Sequence, residues 1–175
     1  MSSTIRVIYL YVFWFLFIYS SKTTYDWLTP IIAIVIIFAD KHFFYPEISN
    51  KKVTIFSLIT FVLGYLLDNL LVLMNLMNFG ESKFSPPYMW SIWLIFVPYF
   101  QFAFNRFYNK LWIAMLIAGV CAPFSYRGGT EIADLKISGY IGLVAIGIGW
   151  AIVFPLMIFI HKKMFTNTTE QSLPQ

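Results

Sequence analysis

Charge is scarce in this sequence. Only 11% of its 175 residues are acidic or basic, against about 25% in a soluble domain, so too little polar surface exists to face water. Cysteine is almost missing. Cys121 stands alone inside an apolar run, which excludes an internal disulfide and reads as a small packing residue. His42 and His161 are the only histidines, neither in a metal-ligand spacing, and each reads as an interfacial residue near a helix end. There is no H-E-x-x-H pattern, no phosphate-cradling glycine loop and no paired-cysteine site. Zinc-hydrolase and nucleotide chemistries are therefore excluded, no catalytic set can be assembled, and no cofactor or metal is expected. The G-I-G at Gly147–Gly149 lies inside an apolar run rather than after a strand, which disqualifies it as a dinucleotide loop.

Apolar surface is what the chain has in abundance. Hydrophobic residues make up 59% and aromatics 21%, and the mean hydropathy is +0.73. They fall into six runs, near 5–20, 27–44, 53–78, 87–104, 111–126 and 137–160. Several runs are shorter than the roughly 20 residues a span needs, so flanking aromatics and snorkelling lysines complete them. Backbone amides in lipid must bond within their own segment, which makes these runs helices. A membrane barrel would alternate polar and apolar residues, and these runs do not. The expected fold is all-α: a polytopic, multi-pass bundle of about six transmembrane helices, one domain over 1–163 with a polar cytoplasmic tail at 164–175. Pro30 in the first turn of the second run and the Pro86-Pro87 pair before the fourth suit helix starts. Arg6 and the run to Tyr19 have the charge and length of a secretion signal, yet bulky aromatics fill it and no small-residue cleavage site follows. It reads as a retained first helix.

Orientation follows from counting cations. Arg6, Lys41, Lys51, Lys52, Arg106, Lys110, Lys162 and Lys163 flank one side, and Lys22, Lys83, Arg127 and Lys136 the other. Eight against four places both termini in the cytoplasm. The net charge of +4 is thus a topology signal carried by short loops. It does not point to nucleic acid.

The third run carries the most informative pattern. Ser57, Thr60, Gly64, Asp68, Asn75 and Asn78 fall within about ±60° of one direction at about 100° per residue, giving a polar or small face. Asp68 is the one acid expected deep in any segment, and an ionisable group there must face the interior with a partner. It either fixes helix packing or serves a ligand, proton or substrate. Counting rise from Lys52 puts Asp68 about 24 Å above the cytoplasmic boundary, and from Lys110 puts Ser125, Tyr126 and Arg127 at about 22–26 Å. A salt bridge to Arg127 or a hydrogen bond from Tyr126 would offset the burial of Asp68. On the fourth run Ser91, Pro98, Gln101 and Asn105 share a face, with a kink expected at Pro98. Trp90 and Trp93 stand where an aromatic belt is expected, with substrate stacking as the alternative. Ala114, Ala118 and Ala122 on the fifth run, and Ser138, Gly142, Ala145 and Gly149 on the sixth, form small-residue stripes that suit a contact between these helices or with a partner subunit.

The stretches Gly64-x-x-x-Asp68, Pro87-x-x-Trp90 leading to Leu94 and Phe96, Ala122-Pro123-x-x-Tyr126-x-x-Gly129, and Gly149-Trp150 through Pro155 resemble a bacterial inner-membrane family catalogued as domain of unknown function 2878. The likeness covers most of the chain after residue 55, the first two helices following only in hydropathy. It implies a multi-pass protein of the bacterial cytoplasmic membrane. Members sit beside lipid-modifying enzymes, including cyclopropane-fatty-acid-synthase-like proteins, which implies an accessory or ligand-binding role in lipid modification or envelope homeostasis. The expected partners are the lipid bilayer and a membrane protein or lipid-modifying enzyme. No catalytic residues come with the resemblance. Two other classes stand beside this one: a small membrane enzyme with Asp68 as acid or base, and a small transporter in which Asp68 titrates with substrate.

Overall fold

The computed structural model describes residues 3–166, with side chains from Arg6 onward. Among these residues six α-helices form: α1 (Ser3–Ser20), α2 (Thr29–Phe44), α3 (Asn50–Leu73), α4 (Pro87–Phe102), α5 (Leu111–Thr130) and α6 (Gly139–Phe165). Short 3-10 turns at Asp26–Leu28 and Phe104–Phe107 precede α2 and follow α4. With its 3-10 turn α2 is long and apolar enough to cross a bilayer, and so are α3, α5 and α6, while α1 and α4 are shorter. Residues from 167 onward, most of the expected tail, lie outside the described part.

The helices alternate in direction, so contacts collect at two ends. At the end where α1 begins and α6 finishes, Arg6 of α1 meets Asp40 of α2, and Lys52 of α3 reaches the Met164 carbonyl of α6. At the distal end α3, α4 and α5 meet, as described below. Helix α4 is the inner one. Ten of its 16 residues are buried, and α1, α2 and α3 pack around it. A helix apolar on every side belongs in an interior, which is where α4 lies. Helix α6 packs on α3 and along α5. Large apolar side chains such as Val35, Leu66, Phe124 and Ile141 face outward, the surface a bilayer would cover.

Two expectations change here. The third run was expected to continue to residue 78, but the helix stops at Leu73. Asn75 adopts φ +57°, its N–H bonds the Val72 carbonyl at 2.9 Å, and the Leu76 N–H bonds the Leu71 carbonyl at 2.9 Å. This paired closure around a left-handed residue ends a helix, and asparagine is one of the few side chains that tolerates it. The chain then forms strand β1 (Met77–Asn78), antiparallel to β2 (Lys136–Ile137). Asn75 and Asn78 therefore leave the polar stripe.

The small-residue stripes are the second change. Helices α5 and α6 do pack together, but their close approach runs through Gly119 and Gly147. A Cβ on Gly147 would fall 2.7 Å from the Gly119 carbonyl oxygen. Gly149 instead faces Leu67 of α3, and Gly142 the Leu76 carbonyl. Small residues occur on more than one face of these helices, so spacing alone does not choose the contact.

Candidate functional site: a buried carboxylate

Asp68 lies five residues before the C-terminal end of α3 and is fully buried. Its Oδ1 accepts the Tyr126 hydroxyl of α5 at 2.7 Å. Its Oδ2 accepts the Trp93 indole N–H of α4 at 2.7 Å and, more weakly, the Ser85 hydroxyl at 3.5 Å. The neighbouring Asn69 takes the Ser85 backbone N–H at 3.0 Å through its side-chain oxygen, and Trp90 donates to the Ser85 carbonyl at 2.6 Å. Ser85 is thus held from both sides, and it fixes the segment that leads into α4.

The local sequence makes room for this. Gly64 sits one turn below Asp68 on the same face of α3, and a Cβ there would fall 2.0 Å from Cδ2 of Trp93. Only glycine lets the indole lie against α3 and reach the carboxylate. Trp93 in turn stacks on Trp150 of α6, centroids 4.5 Å apart and planes within 16°. One carboxylate therefore ties α3, α4, α5 and the loop before α4, with α6 added by stacking.

The nine candidate residues divide cleanly. Asp68, Tyr126, Trp93 and Gly64 come together, and Trp90 joins through Ser85. Arg127 does not: it is exposed and forms no ion pair, and among the described residues the one salt bridge is Arg6–Asp40. One residue beyond Tyr126 is about 100° further round the helix, so level was matched while direction was not. Ser125 is exposed beside Tyr126, and Asn75 is exposed at the turn after α3, its carbonyl accepting the Ser138 hydroxyl. Gln101 belongs to the opposite end, bordering a small hollow with Asp40 and Tyr45. Trp93 is no belt residue. It is buried to 1% exposure, since its N–H serves the carboxylate.

Three features escaped sequence reading. Ser85 gave no signal, being a loop serine among several. Asp40 is a second buried acid, in contrast to the expectation that Asp68 stands alone. It takes three contacts from the Arg6 guanidinium at 2.7–3.2 Å and one from the Tyr9 hydroxyl at 2.6 Å, while Arg6 also stacks over Phe102. The rise count that matched Tyr126 to Asp68 would have matched Arg6 to Asp40. His161, expected at the interface, is buried among Phe56, Phe100 and Phe165 with Nδ1 bonded to Tyr108.

An enclosed carboxylate with both oxygens engaged acts as a fixed acceptor. A substrate could touch it only by displacing Trp93, Tyr126 or Ser85. Among the described residues no three His, Cys, Asp or Glu side chains gather as metal ligands. Tyr126 also borders a cavity of about 340 Å³ bounded by α1, α4, α5 and α6.

A family described as "Protein of unknown function (DUF2878)" matches residues 3–156. No curated protein and no solved structure matches the chain.

Proposed function

The chain belongs to the DUF2878 family of proteins of unknown function, and from that premise we propose a non-catalytic, ligand-binding role in the bacterial inner membrane. In this reading both termini face the cytoplasm, as the lysine and arginine distribution favours. The protein serves as an accessory component to membrane-lipid modification or envelope homeostasis, working beside a partner enzyme in the same bilayer. The observation that carries the non-catalytic part is the enclosure of Asp68. Its oxygens are occupied by Tyr126, Trp93 and Ser85, with no exposed edge for substrate or solvent. An enzyme or transporter using Asp68 would need that acid to meet its substrate. A residue buried this way holds helices in place.

The test is complementation of a deletion strain whose lipid profile departs from its parent. Asp68→Asn, scaled to the amount present in the membrane, should restore the profile, because no proton transfer is lost. Failure to restore it at normal membrane levels would overturn the non-catalytic reading in favour of chemistry at Asp68. An unaltered lipid profile on deletion would remove the link to lipids.

A further inference from the structure

Helix α1 packs on α4 and α5 packs on α6, which leaves a crevice between α1 and α5. The walls are Tyr11 and Trp14 on one side and Ala114, Ala118 and Ala122 on the other. Phe96 and Trp150 are among the residues of its floor. The three alanines are buried, and their small side chains leave the space open. The volume of about 340 Å³ falls at the lower end of the range for ligand sites. From Ala114 to Tyr126 the wall runs 12 residue steps, about 18 Å of helix rise, so the space is long and narrow and runs along the bundle. Tyr11, Ile117 and Cys121 at its margin are exposed, so it opens sideways, where bilayer lipid would lie.

The upper end differs in character. A smaller hollow of about 30 Å³ shares Trp14, Ile92, Ser125 and Tyr126 with the crevice and is also bordered by Tyr88. Tyr88 is 4% exposed, and its hydroxyl has no hydrogen-bond partner among the described residues. A hollow of that size admits one group about as large as a water molecule. A narrow apolar slot beside a hollow bordered by one buried, unpaired donor complements a hydrocarbon chain carrying one acceptor. A partner helix, about 10 Å across even without long side chains, is too wide for it.

We propose that the crevice between α1 and α5 holds one acyl chain of a bilayer phospholipid, whose ester carbonyl accepts the Tyr88 hydroxyl. This rests on the ligand-binding reading above and names its ligand. The full chain is reconstituted in vesicles of phosphatidylethanolamine and phosphatidylglycerol. These contain a phosphatidylethanolamine with a diazirine midway along one acyl chain. After photolysis, adducts are mapped by peptide mass spectrometry. Adducts are expected on the interior wall at Ala114, Ala118 and Trp150, as well as on outward residues such as Phe124. Ala118→Trp fills the slot and should lower interior adducts about tenfold relative to those at Phe124, as a tenfold weaker affinity would. Should that variant fail to insert, Ala118→Leu is read the same way. Tyr88→Phe should lower interior labelling while leaving outward labelling unchanged. Wild-type adducts confined to outward residues overturn the proposal, as do interior adducts that persist when the slot is filled, or Tyr88→Phe labelling equal to wild type. Labelling by a diazirine fatty acid but not by the phospholipid also overturns it. None of these outcomes alters the complementation result for Asp68→Asn, so the two readings fail separately.

Discussion

Removing the Tyr126 hydroxyl leaves one oxygen of a fully buried carboxylate without its donor, whereas removing Asp68 strands three donors at once, two of them close. The two changes should therefore differ in size. Tyr126→Phe is expected to lower stability by about 1 kcal/mol, in keeping with hydrogen bonds measured between membrane helices. Asp68→Ala leaves both the Tyr126 hydroxyl and the Trp93 indole N–H buried and unmet, and is expected to cost about 2–5 kcal/mol. Unfolding in detergent micelles measures both. Combining them should cost less than the sum, because the second change removes a partner already lost. A strictly additive double variant would show that Tyr126 and Asp68 do not interact. At this scale the sequence was informative about level and silent about direction. Counting rise put Tyr126 beside Asp68 correctly, yet it put Arg127 there equally well. A one-dimensional count cannot tell which of two adjacent side chains points inward. Trp93 was misassigned to the interface for the same reason, since only the place of α4 inside the bundle turns its indole toward α3.

Glycines test how helices meet. Gly147 lies against Gly119 of α5, and a methyl group there would press on the Gly119 backbone, which cannot rotate away. Gly147→Ala is expected to destabilise by about 1–3 kcal/mol, as overpacking does. Gly128 on α5 is the matched control, because a Cβ there meets nothing within 4 Å. Gly128→Ala should cost nothing and, through its helix preference, should gain up to about 1 kcal/mol. Equal losses in thermal unfolding at both positions would refute this assignment of the α5–α6 contact. The helices themselves were legible from apolar runs, since a backbone in lipid has few other ways to satisfy its amides. Their ends were less so. The turn at Asn75 depends on one residue adopting a left-handed conformation, and nothing in hydropathy marks it. The small-residue stripes were visible, yet which stripe met which helix depended on rotations that neighbouring helices impose.

At the scale of the molecule, Lys51 and Ser82 lie at opposite ends of the bundle, at the start of α3 and in the loop before α4. In a Cys121→Ser background, Lys51→Cys should react with a membrane-impermeant maleimide only from the cytoplasmic side, and Ser82→Cys only from the other. Labelling of Lys51→Cys from outside would invert the orientation read from the charges. The expectation of membrane spans came from the sequence, whose scarce charge and long apolar runs correspond to four helices long and apolar enough to cross a bilayer. The sequence also marked Asp68 as costly to bury and therefore in need of a partner. The tertiary structure decided the rest: which donors reach that carboxylate, which small residues touch, that Arg6 and Asp40 form a second node, and where α1 and α5 leave a crevice. Composition and rise are properties of each segment alone. Azimuth and neighbour choice arise only when all the helices pack at once.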